Sequence, residues 1–193
     1  MQHRFIESLA GFFQGVTQEC RDRKSGSLPD LESYILLRRD TSGCKPCFVL
    51  IEYANNLDIP DDVMEDPILN DIIDAANDFV SWANVRSTNL SKDRWLILQQ
   101  DIYSFNVEQA AGTHHNIVCI IMNEKGLDLQ SAIDFVGELC KQTVLRFDEG
   151  CRSLPSWGPN IDKEVAVFID GLKAWMIGNL YWFVFVASIG PRN

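Results

Sequence analysis

The sequence has no long hydrophobic run and no excess of positive charge. Its apolar stretch at residues 180–189 has ten residues, whereas a helix needs about 20 to span a bilayer. Residues 1–4 do not open the apolar segment of a secretory signal peptide. The formal net charge of −10 argues against binding to nucleic acid or to an anionic membrane surface. We therefore expect a cytoplasmic protein with no membrane span and no nucleic-acid partner.

Cysteine is present, but not in a pattern that predicts disulfides. The six cysteines have no secretory context, so we expect them to be reduced. Cys44 and Cys47 have the spacing of a redox or zinc site, yet no second cysteine pair accompanies them. The sequence therefore favours a structural role for both.

Alternation of polar and apolar residues at every second position is also scarce, which argues against sheets. Apolar residues instead recur every three or four positions, as at Leu69, Ile72, Ile73, Ala76 and Phe79. Proline followed by acidic residues predicts helix starts at Pro29 and Pro60. Residues 117–122 fit either a strand or a helix. The sequence predicts six or seven helices and an all-α fold.

One helical pattern is interrupted: it stops at Asn84 and resumes at Asp101. Without residues 85–100, Asn84, Ser104 and Glu108 would fall at positions i, i+4 and i+8, in one row along a helix. An amide oxygen, a hydroxyl and a carboxylate are the hard oxygen ligands that suit Mg²⁺, which accepts phosphate oxygens in its remaining positions. The pattern predicts a site for Mg²⁺ or Mn²⁺.

The rejoined segment closely resembles the Asn-Asp-x-x-Ser-x-x-x-Glu metal motif of class I terpene synthases. Further segments resemble the same family, and its fungal sesquiterpene-synthase branch in particular: Leu31-Glu-Ser-Tyr-Ile, Arg38-Arg-Asp-Thr-Ser-Gly, Val107-Glu-Gln-Ala, His115-Asn, Leu127-Asp-Leu-Gln-Ser-Ala and Leu154-Pro-Ser-Trp-Gly-Pro. The resemblance implies a partial terpenoid-synthase helical fold. Residues 1–193 would form a single C-terminal part of that domain.

The resemblance also implies an activity. Mg²⁺ ions would help to ionise a prenyl diphosphate, with farnesyl diphosphate expected, and an apolar cavity would guide its cyclisation to a sesquiterpene. Arg38 resembles the diphosphate-sensing arginine of the family, whose guanidinium can hold phosphate oxygens in a bidentate manner. Thr41 and Ser42 fall where the family has a helix break facing the cavity. The oligomeric state stays open.

Three features depart from the family pattern. The family's aspartate-rich motif precedes the sensor arginine, but residues 1–37 contain no Asp-Asp pair, so we expect the chain to begin near the middle of the family's domain. The acidic stretch at Asp61 and Asp62 lies downstream of Arg38 and is predicted to be a solvated helix cap. The family's C-terminal Arg-Tyr pair has no counterpart after Asn179.

The third departure is the insertion at residues 85–100. If those sixteen residues were helical, they would rotate Asn84 by about 160° and displace it by about 24 Å relative to Ser104 and Glu108. Gln100 could replace Asn84 as a ligand, but it is one methylene longer. Every valine codon begins with GT and one glutamine codon ends with AG, so we hypothesise a retained in-frame intron from Val85 to Gln100. We expect impaired activity.

The alternative is an inactive truncated remnant that acts, if at all, as a non-catalytic helical interaction protein. A prenyltransferase that joins two isoprenoid units is less favoured, because it would carry two aspartate-rich motifs. Asp71, Asp74 and Asp78 share a helix face and are predicted to form its polar side. The adjacent His114 and His115 are expected in a loop.

Overall fold

The computed structural model describes residues 1–26, 28–82 and 116–189, with side chains described up to residue 181. Regular structure within these ranges is entirely helical, which confirms the all-α prediction. There are eight helices in the described ranges, compared with the six or seven that the sequence predicts: α1 (Gln2–Ser25), α2 (Leu31–Thr41), α3 (Cys44–Asn55), α4 (Asp61–Met64), α5 (Pro67–Trp82), α6 (Ile117–Lys125), α7 (Leu129–Ser153) and α8 (Pro159–Ile189).

Several of these helices begin at a side chain that caps the free backbone N–H groups. The Asp30 carboxylate accepts a hydrogen bond of 2.8 Å from the Ser33 backbone N–H at the start of α2. Asp128 caps α7 in the same way, with the Ser131 N–H as donor. Pro29 therefore precedes the cap of α2, whereas the sequence pattern predicts it in the first turn.

The ambiguous segment at residues 117–122 is helical. The Asn116 side chain caps it by accepting a hydrogen bond of 2.9 Å from the Val118 N–H. Ile117, Val118, Ile120 and Ile121 are all buried, so the helix is covered on more than one side. A helix without a polar face shows no amphipathic period, which is why periodicity could not distinguish it from a strand.

The buried side chains form two hydrophobic clusters. The larger cluster joins α3, α5, α7 and α8 and includes Phe48, Leu69, Ile72 and Phe168. The smaller cluster joins the end of α5 to α2, α6 and α7, and it includes Trp82. The central helix α5 contributes to both, so the segment that leads to Asn84 is held in the middle of the bundle.

Two glycines allow helices to approach closely. A Cβ atom at Gly150 of α7 would lie 2.6 Å from Cγ1 of Ile72 on α5. A Cβ atom at Gly171 of α8 would overlap Cγ2 of Ile51 on α3. Both contacts would be shorter than van der Waals contact, so a larger residue at either crossing would force the isoleucine or the helix to shift.

The described surface also carries large apolar side chains. Phe13 on α1 is 64 % exposed and Tyr181 on α8 is 71 % exposed, and Ile6, Tyr53 and Ile177 are exposed as well. In the part of the chain that the structure describes, no helix combines the length and apolar character that crossing a membrane requires. The six cysteines, all within that part, form no disulfide.

Candidate functional site

The chain breaks its helical path between α2 and α3. Ser42, which follows the last residue of α2, keeps helical dihedral angles (φ −63°, ψ −25°). Gly43 then adopts a left-handed conformation with φ 75°, which favours glycine because other residues would strain a Cβ atom there. Thr41 and Ser42 therefore lie at a junction of two helices, and whether they face a substrate stays a prediction.

Ser42 is tied to the buried Asn77 of α5. Its hydroxyl donates a hydrogen bond of 2.8 Å to Oδ1 of Asn77 and accepts one of 3.1 Å from the Cys44 backbone N–H. Nδ2 of Asn77 donates a bond of 2.8 Å to the backbone carbonyl of Arg39. The Asn77 side chain is fully buried, so the junction is anchored in the interior of the bundle.

Arg39 is bound by two carboxylates of α5. Its Nε and one terminal nitrogen donate to the two oxygens of Asp78, each at 2.7 Å, and its other terminal nitrogen lies 2.7 Å from Asp74. The hydrogen bond to Asp78 raises the pKa of Arg39, although burial opposes this. Burial raises the pKa of Asp74, with the charge of Arg39 opposing the rise. Arg39 is thus committed to α5.

Arg146 of α7 completes this charged cluster. One of its terminal nitrogens donates to Asp78 at 2.9 Å, and its Nε lies 3.3 Å from Asp71 without hydrogen-bond geometry. Asp78 is only 1 % exposed. The interpretation of these aspartates as the polar side of their helix is therefore wrong for Asp78, because its charge is neutralised by arginines from two other helices rather than by water.

Arg38 differs from its neighbour. It is partly buried in the last turn of α2, and among the described residues no carboxylate lies within ion-pair distance of it. It is close enough to Cys44 for its positive charge to oppose the rise in the pKa of that thiol, which burial causes. Of the two guanidinium groups in the last turn of α2, that of Arg39 is bound to the described residues of α5 and that of Arg38 is not.

An apolar cavity of about 680 Å³ lies between α3, α5 and α8. Its lining residues come from these three helices: Cys47, Leu50, Ile51, Ala54, Asn55, Val80, Gly171, Ala174, Trp175, Gly178 and Asn179. Nδ2 of Asn179 donates to the carbonyl of Val80 at 3.3 Å. Val80 lies near the C-terminal end of α5, and Cys47 lies one turn after Cys44, so two of the three helices that line the cavity, α3 and α5, also contribute residues to the junction.

The predicted metal ligands Asn84, Ser104 and Glu108 all lie outside the described residues, as do Gln100 and the insertion 85–100. The helix that leads to them, α5, is described as far as Trp82. Within the described ranges, no group of three histidine, cysteine or carboxylate side chains is arranged to hold a metal ion. The metal site therefore stays a prediction.

The acidic stretch after Pro60 begins the short helix α4. Asp61 forms an ion pair with Arg4, and Arg4 also binds Glu52, which is fully buried on α3. Asp61 itself is largely exposed. Asp61 and Asp62 thus lie in the first turn of α4, as expected of acidic residues at a helix start, but the N-cap residue is Pro60 and neither carboxylate caps the backbone. Arg4 of α1 joins Asp61 to the bundle.

Sequence reasoning did not identify Arg39, Asn77 or Arg146. Arg39 adjoins Arg38, and one helical position turns a side chain by about 100°, so the two neighbours face different surroundings. Their partners lie 35 to 68 positions away, which no local pattern reveals. The three aspartates at positions 71, 74 and 78 were the available signal, since carboxylates in one row of a helix can meet arginines from neighbouring helices.

Comparison with known proteins places the chain in a family. Residues 1–146 match the family model "Terpene synthase family 2, C-terminal metal binding". The sequence is 52% identical over 181 residues to sesquiterpene synthase Agr1 of Cyclocybe aegerita, covering 94% of this chain and 48% of that protein. It is 48% identical to alpha-muurolene synthase of Coprinopsis cinerea, covering 39% of that protein. The chain thus spans about half the length of the curated relatives it matches, or somewhat less.

Solved structures agree on the fold. The crystal structure of a-eudesmol synthase has a TM-score of 0.77 at 20% identity, with 95% of this chain and 56% of that chain covered. Linalool/nerolidol synthase from Streptomyces clavuligerus was solved in complex with 2-fluorogeranyl diphosphate. It also has a TM-score of 0.77 at 20% identity, and the match covers 94% of this chain and 58% of that chain. At this identity the likeness concerns the helical fold alone.

Proposed function

This chain belongs to the terpene synthase family, and we propose that it is the C-terminal, metal-binding part of a fungal-type sesquiterpene synthase that acts on farnesyl diphosphate. Family membership rests on the match to residues 1–146 and on relatives named as sesquiterpene synthases. The substrate, the reaction of this chain and the residues that carry it are proposals. A cytoplasmic location is part of the same proposal.

The observation that carries the proposal is the contrast between Arg38 and Arg39. Arg39 is saturated by Asp74 and Asp78, whereas Arg38 has no carboxylate partner among the described residues. A partly buried guanidinium that has no carboxylate partner favours the binding of an anion. The planar arrangement of its N–H donors matches the oxygens of a diphosphate. Arg38 would hold the diphosphate at the junction of α2 and α3, with Thr41 and Ser42 beside it.

The cavity between α3, α5 and α8 supports a prenyl substrate. Its volume of about 680 Å³ falls in the usual range of about 300–1,000 Å³ for ligand pockets. The lining is mainly apolar, which suits a hydrocarbon chain, and it is open to solvent at Leu50 and Trp175, which are nearly half-exposed. Trp175 offers an aromatic face that can attract a positive charge.

Mg²⁺ would be held by Asn84, Ser104 and Glu108, whose oxygen atoms suit a hard cation. When bound, it would stabilise the negative charge that develops on the leaving diphosphate. Because these three residues lie outside the described ranges, this assignment depends on the sequence motif and on the metal-binding family model. Mn²⁺ would suit the same ligands.

The proposal is tested by supplying the purified chain with farnesyl diphosphate and Mg²⁺ and measuring diphosphate release and volatile products. We expect metal-dependent release, and a loss of about 100-fold or more in Arg38→Ala, because removing a donor to a developing negative charge has an effect of that size. Arg152→Ala is the matched control, since Arg152 is exposed and its one ion pair among the described residues is with Asp148 at 4.0 Å. Equal rates for Arg38→Ala and wild type would contradict the assignment.

The exposed apolar side chains favour a second candidate, a non-catalytic remnant that binds partners. Phe13 and Tyr181 are more than half exposed, and the chain spans about half the length of its relatives. This candidate predicts no diphosphate release from the chain. It also predicts that activity appears in a full-length form, with a relative's N-terminal half added and residues 85–100 removed.

A further inference from the structure

The buried amide of Asn77 is shared between two groups at the end of α2. Its oxygen accepts from the Ser42 hydroxyl at 2.8 Å, and its nitrogen donates to the Arg39 carbonyl at 2.8 Å. The side chain has no exposed surface. A buried amide is costly unless both its oxygen and its nitrogen are hydrogen-bonded. Here the two shorter bonds go to the end of α2, and the oxygen also accepts a bond of 3.3 Å from the Ser81 hydroxyl, one turn later on α5.

The Arg39 carbonyl belongs to the last turn of α2, where helix carbonyls lose their partners four residues ahead. Asn77 supplies a donor from α5 at 2.8 Å, and the Ser42 hydroxyl lies 3.3 Å from the same carbonyl. The next residue of α5, Asp78, holds the guanidinium of the same Arg39. The last turn of α2 is therefore fixed to α5 through a backbone carbonyl, a guanidinium and the Ser42 hydroxyl.

Arg38 lies in this turn and has no carboxylate of its own among the described residues. Its direction is therefore set by the rotation of α2 about its axis. That rotation is fixed by contacts one and four positions after Arg38, at the Arg39 carbonyl and the Ser42 hydroxyl. Of the α5 residues that bind this turn, Asn77 alone contacts both the backbone of α2 and the junction residue Ser42 in the described structure.

We propose that Asn77 is a positioning residue that orients Arg38 for diphosphate by locking the last turn of α2 to α5. This inference rests on the proposed function. Asn77 does not touch the substrate. It acts through the Arg39 carbonyl and the Ser42 hydroxyl, so substitutions at Asn77 and Ser42 interrupt the same contact.

The test measures binding of inorganic diphosphate with Mg²⁺ to the full chain by calorimetry. We expect Asn77→Ala to weaken binding about tenfold and Ser42→Ala to weaken it several-fold. The double variant should be no weaker than Asn77→Ala, since residues that share one contact are not additive. Asn70→Ala is the matched control, because Asn70 lies two turns earlier on α5 and, within the described ranges, its side chain bonds only the carbonyls of Met64 and Asp66. It should bind like wild type.

Hydrogen exchange gives a readout that separates positioning from general destabilisation. We expect the Cys44 amide, which donates to the Ser42 hydroxyl, to exchange faster in Asn77→Ala while the amides of α7 stay unchanged. A folded Asn77→Ala chain that binds diphosphate like wild type would overturn the inference alone. If Asn77→Ala does not fold, Ser42→Ala takes its place, and a folded Ser42→Ala chain that binds diphosphate like wild type would overturn the inference. A wild-type chain that binds no diphosphate would overturn both this inference and the proposed function.

Discussion

The replacement of Asp78 by alanine is the most direct test of the charged cluster in the bundle. Asp78 accepts three hydrogen bonds, two of 2.7 Å from Arg39 and one of 2.9 Å from Arg146. It is 1 % exposed, so its removal leaves two guanidinium groups without their main counter-ion inside the protein. Breaking a buried ion pair from one side costs about 3–5 kcal/mol.

The lower end of this range applies here. Arg146 is about one third exposed and can recover part of its hydration, and Arg39 keeps Asp74 as a partner. We therefore expect Asp78→Ala to lower the free energy of unfolding by about 3 kcal/mol. For a chain of this size the melting temperature should fall by about 6–12 °C, at about 2–4 °C per kcal/mol.

The assay is urea unfolding followed by circular dichroism, with thermal unfolding in parallel. Asp148→Ala is the matched control, because Asp148 is half-exposed and lies 4.0 Å from Arg152. An exposed pair of this kind contributes about 0–1 kcal/mol. If Asp78→Ala unfolds within about 1 kcal/mol of wild type, the cluster does not stabilise the bundle and our reasoning about Arg39 is refuted.

Two further predictions concern packing and capping. Gly171→Ala should destabilise the chain by about 1–3 kcal/mol, because its Cβ would meet Ile51. Gly137→Ala is the control and should not destabilise the chain, because the space around Gly137 is open. Chemical denaturation of the two variants measures the difference in the free energy of unfolding. Hydrogen bonds from Ser131 lower the pKa of Asp128, so its stabilising effect is present above the ordinary aspartate pKa of about 3.9 and is lost as the pH falls through the lowered value. The melting temperatures of wild type and Asp128→Ala should therefore differ at pH 7 and converge in acid; an equal difference at both would contradict this.

Some features of the site follow from local chemistry. The family motif and the position of Arg38 depend on residues that are close in sequence. The break between α2 and α3 has a local cause as well, since Gly43 provides the left-handed conformation that the turn uses. The capped helix starts at Asp30 and Asp128 likewise need only the next three residues.

The pairing between helices could not be predicted in the same way. Sequence periodicity indicates that Asp78 lies on one face of α5, but not whether that face meets water or an arginine. Only the packing of the helices brings two arginines to Asp78: Arg39, which lies 39 positions before it in sequence, and Arg146, which lies 68 positions after it. The prediction of a polar face was therefore right about the row and wrong about the surroundings of Asp78, which is buried.

The sequence by itself determined the family, the helical class and the candidate anion-binding arginine, because apolar periodicity and motif spacing are encoded over a few turns. Only the tertiary structure decided that Arg39 is bound to α5 while Arg38 is not, and that Asn77 joins the helix break to the interior. The physical reason is that a buried charge or amide needs a partner, and that partner comes from whichever helix the fold places beside it.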